Sequence, residues 1–182
     1  DHQWALIYFN QDLTDEIDGF VYDVDAGAFT ARNKNNDSHR NGLELSWLGQ
    51  WTPQFSSRLN YTYTDATEED AWSVAQPEIR RPKQVASLTL NYDFADQRGR
   101  LYSTIHHQSS QLDHFFSPST FLTEKVRLDG YSTVSFNASW AFTERTRAYI
   151  RADNVFDADY QEVYGYARPG AGFYVGLNHR FF

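Results

Sequence analysis

The sequence predicts an all-β protein, an antiparallel transmembrane β-barrel, from three observations. Apolar side chains alternate with polar ones in successive segments, with the period of 2 that is typical of strands. The connections between these segments alternate between short and long, as they do in outer-membrane barrels. No run approaches the roughly 18 apolar residues that a membrane-spanning helix needs, which excludes a helical membrane protein.

Five segments carry the alternation cleanly, and each is about as long as the 9 to 11 tilted residues that cross a bilayer. In the first, Leu43, Leu45 and Trp47 point one way, whereas Glu44 and Ser46 point the other. The apolar positions of the other four are Leu59, Tyr61 and Tyr63; Ala86, Leu88, Leu90, Tyr92 and Phe94; Val134, Phe136, Ala138, Trp140 and Phe142; and Phe173, Val175, Leu177 and Phe181. Each predicted strand therefore has one apolar face and one hydrophilic face.

Three further strands are predicted with weaker alternation, at residues 3–22, 99–112 and 146–155. The first of them would place its apolar residues on one face: Ala5, Ile7, Phe9, Leu13, Ile17 and Val21. Together with the five clean segments, these give about eight strands.

The predicted connections are short at 52–54, 95–98 and 143–146, and long at 23–38, 66–81, 113–127 and 157–169. When the C-terminus is placed on the short-turn side, the parities of the strands agree. Aromatic residues then collect near the short turns, where a girdle would lie at the membrane interface: Trp47, Trp51, Phe55, Tyr92, Phe94, Trp140 and Phe142. A soluble β-sandwich or a lipocalin-like barrel is the alternative, because both also have alternating strands.

Composition restricts the function. The chain has 24 acidic and 16 basic residues and a net charge of -8, which argues against a nucleic-acid partner. It has no cysteine, so disulfides and thiolate catalysis are excluded. Without a Gly-x-Ser-x-Gly elbow or a phosphate-binding glycine loop, we expect no cofactor and no enzymatic activity, although a serine-histidine hydrolase built on a barrel is the enzyme alternative.

The most specific motif lies near the C-terminus. It runs from Asn-Val-Phe-Asp to the end of the chain, and its members are Asn154, Phe156, Tyr160, Gly165, Pro169 and Gly170, followed by an alternating strand that ends in Phe181 and Phe182. A second piece, Asn41-Gly-Leu-Glu44, opens a predicted strand. In order, spacing and ending, the chain resembles the C-terminal part of TonB-dependent outer-membrane transporters, nearest to those for cobalamin.

The resemblance implies a barrel of about 22 strands with a plugged lumen, of which residues 1–182 would supply the last eight. The plug domain and the segment that contacts TonB would be absent from this sequence. The resemblance also implies the Gram-negative outer membrane as the location and the terminal Phe181 and Phe182 as a signal for the barrel-assembly machinery. The implied partners are outer-membrane lipid, the rest of the barrel and plug, the TonB complex, that machinery, and a small nutrient such as cobalamin or an iron-siderophore complex.

The alternation alone fits a second hypothesis equally well, a complete small eight-stranded outer-membrane barrel with a structural or adhesive role. The two hypotheses differ in the first strand, which must pair with the last in a closed barrel. In a section of a larger barrel, both edge strands instead stay open within the chain.

Exposed aromatics on the long connections are the candidate ligand-binding residues: Trp72 on 66–81, and His114, Phe115, Phe116 and Phe121 on 113–127. Aromatic clusters on exposed loops suit a large, partly apolar ligand, whereas packing within the loop is the structural alternative. We predict no metal site. The acidic run from Asp65 to Asp70 lacks the glycine turn of a calcium loop, and neighbours on a strand such as His106 and His107 point to opposite faces.

Overall fold

The computed structural model describes residues 1–33, 37–70, 72 and 74–181. These residues form fifteen strands: β1 (His2–Leu13), β2 (Ile17–Asp23), β3 (Ala28–Asn33), β4 (Ser38–Gln50), β5 (Phe55–Glu69), β6 (Ala75–Pro77), β7 (Gln84–Phe94), β8 (Gly99–Gln108), β9 (Gln111–Phe116), β10 (Thr123–Leu128), β11 (Tyr131–Thr143), β12 (Thr146–Asp153), β13 (Gln161–Val163), β14 (Tyr166–Ala167) and β15 (Gly172–His179). Within this part of the chain, no helix is long and apolar enough to cross a membrane.

Eight long strands form one antiparallel meander in the order β1-β4-β5-β7-β8-β11-β12-β15, which confirms the predicted number. The short strand β6 pairs with the end of β5, and three separate hairpins, β2–β3, β9–β10 and β13–β14, stand on the long connections. The sequence prediction treated those connections as loops, and it joined β1 to β2 and β8 to β9. Residues 14–16 interrupt the strand between β1 and β2, because Asp15 has a φ of 54° and cannot continue an extended conformation.

The cross-strand register confirms the predicted faces of the five cleanly alternating segments, which are β4, β5, β7, β11 and β15. Leu88 lies between Leu59 of β5 and Ile105 of β8, and Ile150 lies between Ala138 of β11 and Val175 of β15. Because directly opposed residues share a face, these rows join into one continuous apolar surface. That surface is open to the surroundings, since 82% of Val175 and 68% of Leu177 are exposed.

The predicted face of β1 was wrong. Opposite β4, the residues that align with Trp47, Leu45 and Leu43 are Trp4, Leu6 and Tyr8. Ala5, Ile7 and Phe9 do share a face, but it is the polar one, where they oppose Ser46, Glu44 and Gly42. The Phe9 ring lies over Gly42, which has no side chain to obstruct it.

Aromatic rings gather at the short-turn end, as predicted for a girdle. Trp47 and Trp51 meet edge to face with centroids 5.4 Å apart. Phe94 contacts Trp140 at 5.7 Å and Tyr92 at 5.9 Å. These rings end the apolar surface at the level of the short turns.

The structure contradicts a soluble sandwich. Among the described residues, the buried hydrophobic side chains are Ala66, Leu128 and Tyr131, and none of these belongs to the alternating apolar rows. A water-soluble sandwich would instead pack those rows into a core. The polar face carries paired charges, with Asp93 bonded to Arg100 at 2.6 Å.

The main sheet does not close on itself. Across the described residues, β1 pairs only with β4 and β15 pairs only with β12. A complete eight-stranded barrel would pair its first strand with its last, so the small-barrel hypothesis does not fit this sheet.

Candidate functional site

Four connections rise from one end of the main sheet, which we call the long-connection side. They contain the β2–β3 hairpin, β6, the β9–β10 hairpin and the β13–β14 hairpin. The opposite end, the short-turn side, carries the connections at 51–54, 95–98 and 144–145. The folded hairpins concentrate polar and aromatic side chains at the long-connection side.

Asp113 is fully buried and joins three of these connections. Its Oδ1 accepts hydrogen bonds from Arg80 Nε at 2.7 Å and from the backbone N–H of His114 at 2.8 Å. Its Oδ2 accepts the backbone N–H of Tyr164 at 2.8 Å. Arg80 also donates its backbone N–H to the carbonyl of Leu112 at 2.7 Å. One carboxylate therefore ties the β6 connection and the β13–β14 hairpin to β9.

The pKa of Asp113 shows which effect prevails at this junction. Burial raises the pKa of the carboxyl, because the charged form loses solvation. The hydrogen bonds from Tyr164, Arg80 and His114 and the charge of Arg80 together outweigh burial, so the pKa lies below its usual value. The group is therefore an ionised, fully engaged acceptor at neutral pH.

A second cluster lies where the β13–β14 hairpin meets the start of β11. The ring of Tyr131 stacks on Tyr160 with centroids 4.0 Å apart, and its hydroxyl donates to Glu162 at 3.1 Å. Glu162 also accepts from Arg168 Nε at 2.8 Å, and its backbone carbonyl accepts from Gln111 Nε2 at 2.8 Å. The Arg168 guanidinium lowers the pKa of Glu162, and burial offsets this only in part. This cluster fixes the hairpin to both β9 and β11.

A third cluster joins the first two long connections to β4. Arg40 donates to both carboxylate oxygens of Glu78 at 2.8 Å and to Glu16 at 2.8 Å. Arg81 adds a bond to Glu78 at 3.1 Å. Burial raises the pKa of Glu78, but the two guanidiniums outweigh it, and the pKa lies below its usual value. Since Glu78 and Arg80 belong to one segment, the three clusters form a continuous belt, which we call the rim network.

The residues of the family motif hold together the two ends of the last long connection. Asn154 is buried with a φ of 47°, and its side chain bonds the backbone N–H of Ala158 at 3.0 Å and the carbonyls of Ala158 at 2.9 Å and Pro169 at 3.4 Å. Asp157 accepts the backbone N–H of Ala171 at 2.7 Å, and a side chain at Gly170 would collide with that carboxylate. The motif therefore fixes both ends of residues 154–171.

The other motif residues divide into two groups. Tyr160 packs on Tyr131, and Gly165 makes the β13–β14 turn with a φ of 81° that favours glycine. Phe156 is exposed, and so is Phe181, which meets His179 edge to face at 4.7 Å. Phe182 lies outside the described residues.

The candidate ligand-binding aromatics also divide. Phe115 packs against Tyr164 with centroids 4.7 Å apart, so it belongs to the support of the hairpins. Phe116 and Phe121 meet edge to face at 6.3 Å at the tip of the β9–β10 hairpin and are 62% and 74% exposed. We call Phe116, Phe121 and the neighbouring exposed Leu122 the aromatic tip.

Trp72 stands on a separate arm. It lies at the turn between β5 and β6, with its side chain 86% exposed and its backbone N–H bonded to Asp70 at 2.9 Å. The backbone N–H groups of Val74 and Trp72 lower the pKa of Asp70, and the charge of Lys125 on β10 adds to that shift. His114, half-buried on β9, points to the face away from Asp113.

Sequence reasoning missed the rim network. Asp113, Glu162 and Arg80 each find their partners on other connections, up to 51 residues away in the chain. The local signal was a carboxylate between Leu112 and His114 in an alternating segment. Such a signal indicates a pairing but does not name the partner.

A profile of the family described as "TonB dependent receptor-like, beta-barrel" matches residues 1–155. That is most of the chain. The chain belongs to the TonB-dependent receptor family. This family is one of receptors and transporters rather than enzymes, and its barrels lie in the Gram-negative outer membrane.

This receptor chain is similar to one transporter in sequence and to several receptors in fold. The vitamin B12 transporter BtuB of Vibrio cholerae is 30% identical over 63 residues, which cover 35% of this chain and 10% of the transporter. The pyoverdine outer-membrane receptor FpvA of Pseudomonas aeruginosa superposes with a TM-score of 0.79 at 16% identity, over 99% of this chain and 27% of that receptor. The ferric-catecholate import receptor Fiu of E. coli superposes with a TM-score of 0.74 at 17% identity, over 99% and 25%.

The receptor chain spans about a quarter of the length of these solved receptors. Its main sheet is thus a transmembrane section of a larger β-barrel, which agrees with the predicted fold class. No group of three or more His, Asp or Glu side chains in the described ranges is placed to hold a metal ion.

Proposed function

We propose that this chain is the C-terminal section of the barrel of a TonB-dependent outer-membrane transporter, and that its long connections help to capture a scarce nutrient. One observation carries the proposal: the rim network holds the bases of the hairpins, while the aromatic tip and Trp72 stay uncovered above it. A fixed base positions contact residues, and exposed aromatic rings provide contact area at low entropic cost.

The apolar face of the main sheet would contact the outer-membrane lipid. The Leu, Ile, Val and aromatic residues of its rows are exposed or half-buried, and none of them is among the buried hydrophobic residues of the described ranges. The polar face would then look into the lumen, where Arg58, Thr62 and Thr89 supply hydrogen-bonding groups toward a plug contributed by another part of the receptor. The plug and the TonB contact are not supplied by residues 1–182.

The nutrient that we propose is a metal chelate of the cobalamin or iron-siderophore type. The sequence relative supports cobalamin, because it is a vitamin B12 transporter. The fold neighbours are siderophore receptors, although their identities of 16% and 17% support the fold alone. Both ligand types are large and partly apolar, which suits Phe116, Phe121 and Trp72.

The test uses the full-length receptor that contains this chain, expressed in cells without their own cobalamin and siderophore receptors. Binding of radiolabelled cobalamin and of ferric pyoverdine and a ferric catecholate to whole cells is measured with and without an active TonB complex. We expect saturable binding of one of these ligands, and uptake only when TonB is active. The absence of binding and uptake for every one of these ligands would overturn the proposal.

The contact residues are tested with the double variant Phe116→Ser and Phe121→Ser. We expect the Kd of the bound ligand to rise about tenfold, because truncation removes aromatic contacts at the centre of the binding surface. The matched control is Phe142→Ser, whose side chain is also 62% exposed but lies at the short-turn side. Equal Kd values for the double variant and the control would remove the aromatic tip from the binding site.

The terminal Phe181 is proposed as part of the signal for the barrel-assembly machinery. Phe181 is exposed directly after β15, which is the accessible placement that recognition by another protein requires. We expect Phe181→Ala to lower the amount of folded receptor at the cell surface while leaving the Kd of the surviving molecules unchanged. Surface labelling and ligand binding on the same cells measure both quantities.

A further inference from the structure

A groove lies on the apolar face near the short-turn side. It has a volume of about 260 Å³ and crosses β7, β11, β12 and β15. Two short side chains, Ala138 and Ala148, form its floor, and its walls are Phe94, Trp140, Ile150 and Val175. The lining is apolar, so the groove suits a hydrocarbon chain rather than a polar ligand.

Three arginines lie on the turns and strand ends beside this groove. Arg98 lies in the β7–β8 turn with its guanidinium 5.3 Å from the ring centroid of Trp140, which also lines the groove. Arg145 lies in the β11–β12 turn, and its carbonyl accepts the backbone N–H of Arg180, which follows β15. The three cations therefore lie on the ends of neighbouring strands.

Among the described residues, these three cations form no ion pair with a carboxylate. Asp96 and Glu144 belong to the same turns, yet neither forms an ion pair with Arg98, Arg145 or Arg180 in the described part of the chain. The side chain of Arg98 donates one long hydrogen bond from Nε to the carbonyl of Ala95, at 3.4 Å. By contrast, Arg80, Arg100 and Arg151 each bond a carboxylate. The groove thus combines an apolar channel with three arginines beside it whose charges are not paired with a carboxylate within the described ranges.

We propose that this groove binds one anionic phospholipid of the leaflet on the short-turn side, with an acyl chain over Ala138 and Ala148 and the phosphate among the three arginines. Arginine suits a phosphate because its planar N–H donors match the phosphate oxygens. In outer-membrane barrels the short turns face the periplasm, so the lipid would come from the periplasmic leaflet. The inference rests on the membrane placement proposed above but not on the identity of the nutrient.

The test is native mass spectrometry of the full-length receptor, purified in mild detergent and titrated with phosphatidylglycerol or with phosphatidylcholine. We expect one phosphatidylglycerol to bind at least about fivefold more tightly than phosphatidylcholine, since a single interfacial cation already contributes about that factor. Equal affinity for the two lipids in the unmodified receptor would overturn the proposal.

Two variants divide the site into its parts. Ala138→Phe fills the groove and should remove the tightly bound lipid, whereas Ala86→Phe makes the same change on the same face outside the groove and should retain it. Replacing Arg98, Arg145 and Arg180 by Gln should abolish the preference for phosphatidylglycerol while retaining binding of phosphatidylcholine. The matched triple variant replaces Arg32, Lys125 and Arg127 on the long-connection side by Gln and should keep the preference.

The folded state of each variant is checked by its electrophoretic mobility without heating. If Ala138→Phe does not fold, the arginine variants still decide the outcome. A localised site would be contradicted if Ala86→Phe and Ala138→Phe lost the tightly bound lipid equally. It would also be contradicted if both triple variants lost the preference for phosphatidylglycerol. Lipid binding is measured without nutrient uptake, so the two proposals can fail separately. A negative lipid result does not contradict the transport proposal, and a negative uptake result does not affect the measured lipid affinities.

Discussion

The wall of the barrel section and the connections above it are built on different physical rules. In the wall, a residue such as Val134 is placed by local alternation, and its neighbours Ile105 and Leu88 follow from register. On the long-connection side, Asp113 is placed by partners 33 and 51 residues away. The wall therefore tolerates substitutions that keep the alternation of apolar and polar residues, whereas the rim network depends on individual hydrogen bonds.

The largest effect is expected from a charge on the apolar face of the wall. Val134→Arg should destabilise the inserted barrel by about 2 to 4 kcal/mol, because an arginine near the bilayer midplane cannot be solvated. Urea titration of the receptor folded into lipid vesicles measures the loss. The matched control is Thr133→Arg, one residue earlier on the polar face beside His106. If the two variants are equally tolerated, the assignment of the faces is wrong.

Removal of the buried carboxylate comes next. Asp113→Ala leaves the backbone N–H groups of Tyr164 and His114 without an acceptor and releases Arg80. We expect the local opening free energy of the hairpins to fall by about 2 to 3 kcal/mol, the range for hydrogen bonds to a charged group. Hydrogen exchange of the Tyr164 amide measures it, and exchange within β11 should stay unchanged. Unchanged protection at Tyr164 would show that the junction contributes little.

The same junction gives a dependence on pH with a defined sign. The folded state lowers the pKa of Asp113 below its ordinary value of 3.8, so its contribution is fully present above that pH and is lost as the pH falls through the lower folded-state value. Protection of the Tyr164 amide should therefore decline in acid below about pH 3.8 in the native receptor. Asp113→Asn should show no such decline at this amide. A decline of equal size in both proteins would assign it to another group.

A smaller effect is expected at the closure of the last connection. Asn154→Ala should lower the local opening free energy of this connection by about 1 to 2 kcal/mol, because it removes side-chain hydrogen bonds and places alanine at a positive φ. Asn154→Gly tolerates that φ and isolates the loss of the hydrogen bonds. Hydrogen exchange across residues 158–171 compares the two. A glycine variant as unstable as the alanine variant would mean that backbone strain has no part.

The smallest effect on stability is expected at the aromatic tip. Phe121→Ser should change the unfolding free energy by less than about 0.5 kcal/mol, because the side chain is 74% exposed. Phe115→Ser should lower the unfolding free energy clearly more, since Phe115 packs on Tyr164. Thermal unfolding of the two variants compares the stability contributed by the base of the hairpin with that contributed by its tip. A larger cost for Phe121→Ser would mean that the tip is a packing element.

The sequence was sufficient to predict the number of long strands and the faces of the five cleanly alternating ones. It failed at β1, where residues 4–9 are Trp, Ala, Leu, Ile, Tyr and Phe, so that both faces are apolar and only pairing with β4 decides between them. It identified a motif around Asn154 but could not show that this side chain joins the two ends of one connection. For the rim network, the residues next to Asp113 or Glu162 in the sequence do not indicate which distant residue each of them will bond.

The meander has a consequence for the order of assembly. Every bonded pair in the main sheet joins strands that follow one another along the wall, so the wall can be completed by adding one strand at a time at a growing edge, with short loop closures. The contact between Asp113 and Tyr164 requires β11 and β12 to be in place first, because it spans both. Protection of that single amide would therefore serve as a late time marker, reporting that this part of the receptor has matured.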